Sequence, residues 1–287
     1  MFTILCNHNK KEKDDVDGKA YEYYRLNRDF PIHSRQTHLR RCPNLIQVRT
    51  GELELWINCR KYTLHTGDIV YLSENILVSY EWENSDLDVM VLNSDIFEMI
   101  PSLQALLDKR PSFGCFRDDG RELILGLRTL MANALQSPNY VELCDADIRR
   151  ILLAFFSGAY TPIEPETPAF APRQLAHLRL VVGKIEQSLF QPMKLEDLAE
   201  ETGLSPKYFC RIFQKMTGQS PFTFINYRRI EQACILLINE RILVQDAAAR
   251  VGYRDVNYFI KYFKRLCGMT PKRFATIYFG TTAYPWY

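Results

Sequence analysis

The chain has 287 residues, of which 47% are hydrophobic and 24% charged; this is the balance of ordinary globular proteins, and the length favours two domains over one. No apolar run approaches the roughly 18–20 residues a membrane span requires, and the N-terminus turns charged within ten residues, without a signal-peptide core. A cytoplasmic protein that spans no membrane is expected. The formal net charge is only +2, but it is unevenly shared. From Arg173 onward there are 17 Lys/Arg against 9 Asp/Glu, whereas residues 1–172 carry 19 against 25. A basic module following an acidic one suggests a partner with a phosphate backbone, although an anionic membrane surface would satisfy the charge alone.

In chain order, residues from about 20 to 92 read as short strands. Leu45–Arg49, Glu52–Ile57 and Lys61–Leu64 show strand patterning, and Gly51, Asn58 and Gly67 interrupt them, which predicts an antiparallel barrel or sandwich. Helical periodicity follows over 94–107, 121–135 and 142–159. The apolar stripe of the last segment, with Ile148, Ile151, Leu152, Phe155 and Phe156, predicts either a dimer face or a cover for the strands. Pro162, Pro165, Pro168 and Pro172 then mark an extended connector. The expected boundaries are a first domain over 1–160, a linker over 161–172 and a second domain over 173–287.

The second domain reads as helices throughout: 177–190, 194–201, 205–217, 221–240, 244–250, 255–267 and 271–278. Ser205–Pro206 supplies an N-cap with proline in the first turn, and Gly218 and Gly268 close the segments 205–217 and 255–267. Eight cysteines are scattered without a C-x-x-C pair, so they are read as reduced and mostly buried thiols.

Within this domain the chain repeats itself. Ala199 and Gly203 match Ala248 and Gly252, 49 positions on. Tyr208, Phe209, Phe213, Gly218, Pro221 and Phe224 then match Tyr258, Phe259, Phe263, Gly268, Pro271 and Phe274, 50 positions on. Each copy is a short helix, a glycine turn and a longer helix with phenylalanines four apart, which is the layout of a helix-turn-helix. With Phe209, Ile212, Phe213 and Met216 turned inward, the first long helix presents Lys207, Cys210, Arg211 and Gln214 outward, with Lys215 at its flank. With Phe259, Phe263 and Leu266 inward, the second presents Val256, Asn257, Ile260, Lys261 and Lys264. Arg or Lys can read guanine, Asn can read adenine, and apolar groups can meet the thymine methyl in a major groove. The competing reading is a solvated surface, which two such copies on one basic module disfavour.

Between Ala248 and Phe274 the chain carries A-x-x-V-G-Y-x-x-x-x-Y-F-x-x-x-F-K-R-x-x-G-x-T-P-x-x-F. On this pattern, residues from about 175 to 278 resemble the DNA-binding domain of the AraC/XylS family of bacterial transcription regulators. The resemblance implies two helix-turn-helix units joined by a rigid helix over 221–240, with reading helices in successive major grooves of double-stranded DNA. The family's base-facing positions fall on Lys207, Cys210 and Arg211 and on Val256, Asn257, Ile260 and Lys261; Cys210 departs toward a small, weakly polar group. RNA polymerase and a second copy of the chain are the implied protein partners.

Gly51–Leu55 (GELEL) and His65–Leu72 (HTGDIVYL) resemble the cupin-like barrel that many such regulators carry. The implied fold class is therefore α+β multidomain: a cupin-like β-barrel with flanking helices, then an all-α domain with two helix-turn-helix units. Val78 occupies the place of a metal-ligating histidine in that motif, and His33 and His38 lack a third ligand, so neither metal nor cofactor is expected. Arg35, His38, Arg49, Trp56, Tyr71, Tyr80 and Trp82 are the candidate contacts to a small-molecule effector, for which the family suggests a sugar or glycoside. The expected function is a ligand-responsive, sequence-specific activator without enzymatic activity. A repressor, a regulator answering to a protein, and a cupin isomerase or dioxygenase fused to a DNA-binding tail are the alternatives.

Overall fold

The computed structural model describes residues 21–26, 36–40, 43–81, 86–92, 112–117, 152–153, 155–156 and 160–279. Its N-terminal part is built from β1 (Tyr21–Leu26), β2 (Gln36–Leu39), β3 (Asn44–Thr50), β4 (Glu52–Ile57), β5 (Arg60–His65), β6 (Ile69–Leu72), β7 (Leu77–Glu81), β8 (Asp86–Leu92), β9 (Phe113–Arg117) and β10 (Thr161–Pro162). They form two antiparallel sheets, in the orders β1-β8-β3-β6-β9-β10 and β2-β7-β4-β5. Alternation decides what lies between them: Ile46, Val48, Val70 and Leu72 of one sheet meet Leu53, Leu55, Val78 and Tyr80 of the other in one buried core. The β4–β5 hairpin closes through Asn58 and Cys59, both left-handed at φ 49° and 64°. That is the two-residue turn whose twist matches its flanking strands, and asparagine is among the residues that tolerate it best.

Leu152, Leu153, Phe155 and Phe156 are helical, and the rest of the three helical segments expected over 94–159 lies outside the described residues. Leu152 and Phe155 are 1% exposed and Phe156 is 2% exposed. Phe155 and Phe156 pack on Tyr71 at ring separations of 6.0 and 5.1 Å, and Phe155 also meets Phe116 at 5.7 Å. This part of the apolar stripe therefore covers the outer face of a sheet, and it is not available to a second copy. Hydrophobic burial within the chain has already claimed it.

The proline-rich connector is extended, as its prolines require, but it is not free. The Ile163 N–H donates to the Cys115 carbonyl at 2.8 Å, the Glu166 N–H to the Lys61 carbonyl at 2.8 Å, and the Lys61 N–H to the Thr167 hydroxyl at 2.8 Å. Proline spacing leaves N–H groups at 163 and 166, and the sheet edge uses them.

Seven helices follow among the described residues: α1 (Pro172–Gln187), α2 (Leu195–Glu200), α3 (Pro206–Thr217), α4 (Pro221–Asn239), α5 (Val244–Arg250), α6 (Val256–Cys267) and α7 (Pro271–Tyr278). α1 starts five residues before the expected His177, because Pro172 stands in its first turn, where a missing N–H costs nothing. It also stops before Phe190. Leu178, Val181, Val182 and Ile185 of α1 are buried in a core that also takes in Leu77 and Cys59 of the sheet region. The helical and strand parts are thereby packed together. No described helix is long and apolar enough to cross a membrane.

A candidate nucleic-acid interface

The two repeat copies fold into matching local structures. In the first, Phe209 and Phe213 lie 5.7 Å apart, and Phe213 meets Phe224 edge-on at 5.5 Å and 80°. In the second, Phe259 and Phe263 lie 5.7 Å apart, and Phe263 meets Phe274 at 5.4 Å and 78°. Edge-to-face contacts of this kind favour one geometry over others. The helix ends match too. Gly218 and Gly268 stop α3 and α6 in the left-handed region at φ 80° and 69°, and Ser220 and Thr270 accept from the N–H three residues on to start α4 and α7.

This packing fixes the outer faces. Lys207, Arg211, Gln214 and Lys215 on α3 are exposed, and Cys210 is half-buried; on α6, Asn257, Lys261 and Lys264 are exposed, and Val256 and Ile260 half-buried. Phe209, Phe213, Met216, Phe259 and Phe263 are buried as expected, whereas Ile212 and Leu266 are only partly covered. Tyr262 and Cys267 complete the inner face of α6. Ser205 has the backbone of an N-cap but makes no side-chain cap bond. Asp255 does, accepting from the N–H groups of Asn257 and Tyr258 at 2.8 and 3.2 Å, so Asn257 is held in the first turn of α6.

Two exposed aromatics escape a reading based on polar residues. Tyr208 and Tyr258 are 39% and 50% exposed at matched places in the repeat. The Arg211 guanidinium lies 5.0 Å from the Tyr208 ring centre, within the range of a cation–π contact. Their recurrence 50 positions apart was the available signal.

Among the described residues, the candidate effector contacts do not gather in one place. Tyr80 and His38 lie on the faces of β7 and β2 that carry Val78, toward the core between the sheets. Tyr71 instead packs outward on Phe155 and Phe156. Trp56 stands opposite Lys61 on the outer side of β4, with the Lys61 ammonium 5.8 Å from its ring. Arg49 sits at the irregularity of β3 between Val48 and Thr50. Arg35 and Trp82 lie outside the described residues, as does His33.

His38 has a role that the sequence did not disclose. Arg228 of α4 donates to its Nδ1 at 2.7 Å and also pairs with Glu231 and, at 3.3 Å, with Glu186. His38, Arg228 and Glu231 are 3–4% exposed. An imidazole nitrogen that accepts from a guanidinium is unprotonated, and the histidine's pKa is pushed well below 6.5 by burial, then by Arg228 and Arg40. Burial raises that of Glu231, against the pull of Arg228. The strand part and the helix between the reading units thus meet through a buried ionic cluster.

Two helix-turn-helix units with basic outer faces on one helical scaffold, behind a two-sheet N-terminal part, define a DNA-binding transcription regulator. A family model described as a helix-turn-helix domain matches residues 198–276. The HTH-type transcriptional activator RhaR of Cronobacter sakazakii is 30% identical over 231 residues, covering 80% of this chain and 75% of that protein. RhaR of Pectobacterium atrosepticum is 24% identical over 255 residues, covering 85% and 86%. Among solved structures, ToxT from Vibrio cholerae is 13% identical with a TM-score of 0.44, covering 92% of this chain and 100% of that one. The chain belongs to the AraC family of HTH-type transcriptional regulators.

Proposed function

We propose that this regulator is an activator that binds a DNA site with two reading blocks about one helical turn apart, one block for α3 and one for α6. The observation that carries this is the repeated packing. Because both units use the same phenylalanine ladder, Lys207, Cys210 and Arg211 occupy the same places as Asn257, Ile260 and Lys261. Arg211 and Lys261 read guanine, Asn257 reads adenine, Val256 and Ile260 meet thymine methyls, and Gln214, Lys215 and Lys264 lie nearer the backbone. The protein works in the cytoplasm, on RNA polymerase at a promoter, as a homodimer, and catalyses no reaction.

The N-terminal part, read as a cupin-like barrel over 1–160, senses a small polar effector. Asn44 supports this: it is fully buried opposite Leu72, and its amide finds no partner among the described residues. Such a group calls for a ligand hydroxyl or a water. The cluster of His38, Arg228, Glu231 and Glu186 offers a route from that interior to α4. The deciding experiment is a footprint of the full chain on selected DNA, run at several salt concentrations. Two protected blocks and an affinity that falls steeply with salt are expected. One short block, or indifference to salt, would refute the reading.

A further inference from the structure

The two units are joined by more than the helix between them, and the joint centres on Arg229 of α4. Its Nε donates to the Leu189 carbonyl at 2.8 Å, its Nη2 to the Gln191 carbonyl at 2.7 Å and its Nη1 to the Gly252 carbonyl at 3.1 Å. Leu189 and Gln191 lie in the connection from α1 to α2, in the first unit. Gly252 is the turn of the second. One planar cation therefore holds backbone carbonyls of both units at once, which a fork of fixed geometry can do and a point charge cannot.

A second observation, independent of Arg229, lies at the turn glycines. Gly203 and Gly252 are matched in the repeat and both have positive φ, 66° and 83°. A Cβ on Gly203 would meet open space, whereas a Cβ on Gly252 would lie 2.6 Å from the Phe190 carbonyl oxygen. The second turn is thus pressed backbone to backbone against the first unit, a duty its twin lacks. Tyr253 adds to the seam. Its hydroxyl donates to the Asn226 carbonyl at 3.3 Å, and its ring lies 5.9 Å from the Arg229 guanidinium.

We infer that Arg229 is a positioning residue that fixes the separation of α3 and α6, and with it the spacing between DNA blocks that the protein accepts. The inference rests on the two-block reading above. Of the described helices, α4 alone enters both cores, through Phe224 at one end and Leu237 and Ile238 at the other, but a lone helix leaves the second unit able to roll about its axis. The carbonyl clamp removes that freedom. One base pair inserted between the blocks moves the second by about 3.4 Å along the duplex and turns it by roughly a tenth of a helical turn, which a clamped protein cannot follow.

The test uses the full chain and duplexes selected with the parent protein. One duplex carries both blocks at the selected spacing, two others have one base pair added or removed between them, and a fourth keeps only the first block. The parent should lose on the order of tenfold or more on either altered spacing. Arg229→Met should lose less than about threefold while binding the single-block duplex as the parent does. Should Arg229→Met fail to unfold cooperatively, Arg229→Lys takes its place, since it keeps the charge but cannot reach three carbonyls together. A variant that keeps the parent's full spacing penalty overturns the clamp alone. A variant that loses equally on the single block shows a merely structural role and also overturns it. A parent indifferent to spacing overturns the two-block reading, and the clamp with it.

Discussion

Arg211 and Lys261 stand at equivalent places on α3 and α6, both exposed, and the alanine variant of either is expected to cost about 1–3 kcal/mol of binding and to relax preference at particular bases. Lys264, one turn further along α6, should on substitution by alanine weaken all sequences alike. Binding measured across a panel of single-base operator changes separates the two behaviours, and equal losses for all three would show that the outer faces are assigned wrongly. Tyr208 extends the test. Since its ring supports the Arg211 guanidinium, Tyr208→Ala should reproduce much of the Arg211→Ala loss, Tyr208→Phe should not, and the double variant should fall short of additivity. These outer residues were legible because phenylalanines four apart fix which side of a helix is buried. Tyr208 carried only the signal of its recurrence as Tyr258, because a single exposed aromatic shows no helical periodicity of its own.

At the scale of elements, the phenylalanine ladders carry the two units. Phe213 and Phe263 are each about 1% exposed or less and sit between two other rings. Replacing either by alanine should cost about 3–5 kcal/mol, by lost transfer energy and the cavity left behind. Chemical denaturation of the full chain measures this, and a loss below about 1 kcal/mol would mean that the ladder is not the core it looks to be. α7 falls where Pro271 and the capping Thr270 predict, and α5 keeps its expected bounds without either signal. α1 does not. Proline density in the connector obscured the fact that the last proline of the run starts a helix.

For the whole molecule, the joint between the strand and helical parts makes stability depend on pH through His38. The folded chain holds its pKa well below 6.5, through burial first and then through Arg228 and Arg40. The unfolded chain takes up a proton as pH falls through about 6.5, and the folded chain resists. The stability contributed by neutral His38 is thus complete above that pH and is lost as pH falls toward the folded value, at up to about 1.4 kcal/mol per pH unit. Glu231, with its pKa raised, acts in the opposite sense, losing stability as pH rises from its ordinary value of 4.5 to the folded one. Glu231 is common to the parent and to His38→Gln, so unfolding these two by urea at about pH 7.5 and 5.5 isolates the histidine. The parent's advantage should shrink at the lower pH; an unchanged advantage would show that His38 does not titrate across this window. A fragment beginning at Phe170, which retains the start of α1, is expected to fold, because each unit has its own ladder, and to bind a paired site more weakly than the full chain. An insoluble fragment, or one that binds as tightly as the parent, would count against the division into a sensing and a reading part.

The sequence by itself determined the double helix-turn-helix, its outward residues and the strand character of the first part, because helical and strand periods and capping chemistry are local properties that a chain displays within a dozen residues. Only the tertiary structure decided that Leu152, Phe155 and Phe156 cover a sheet, that Tyr71 and Trp56 face away from the core between the sheets, that His38 belongs to Arg228 and that Arg229 fastens one unit to the other. Most of those outcomes join residues far apart in the chain. No periodicity records such a pairing, since it depends on which buried surfaces meet once the separate elements have formed.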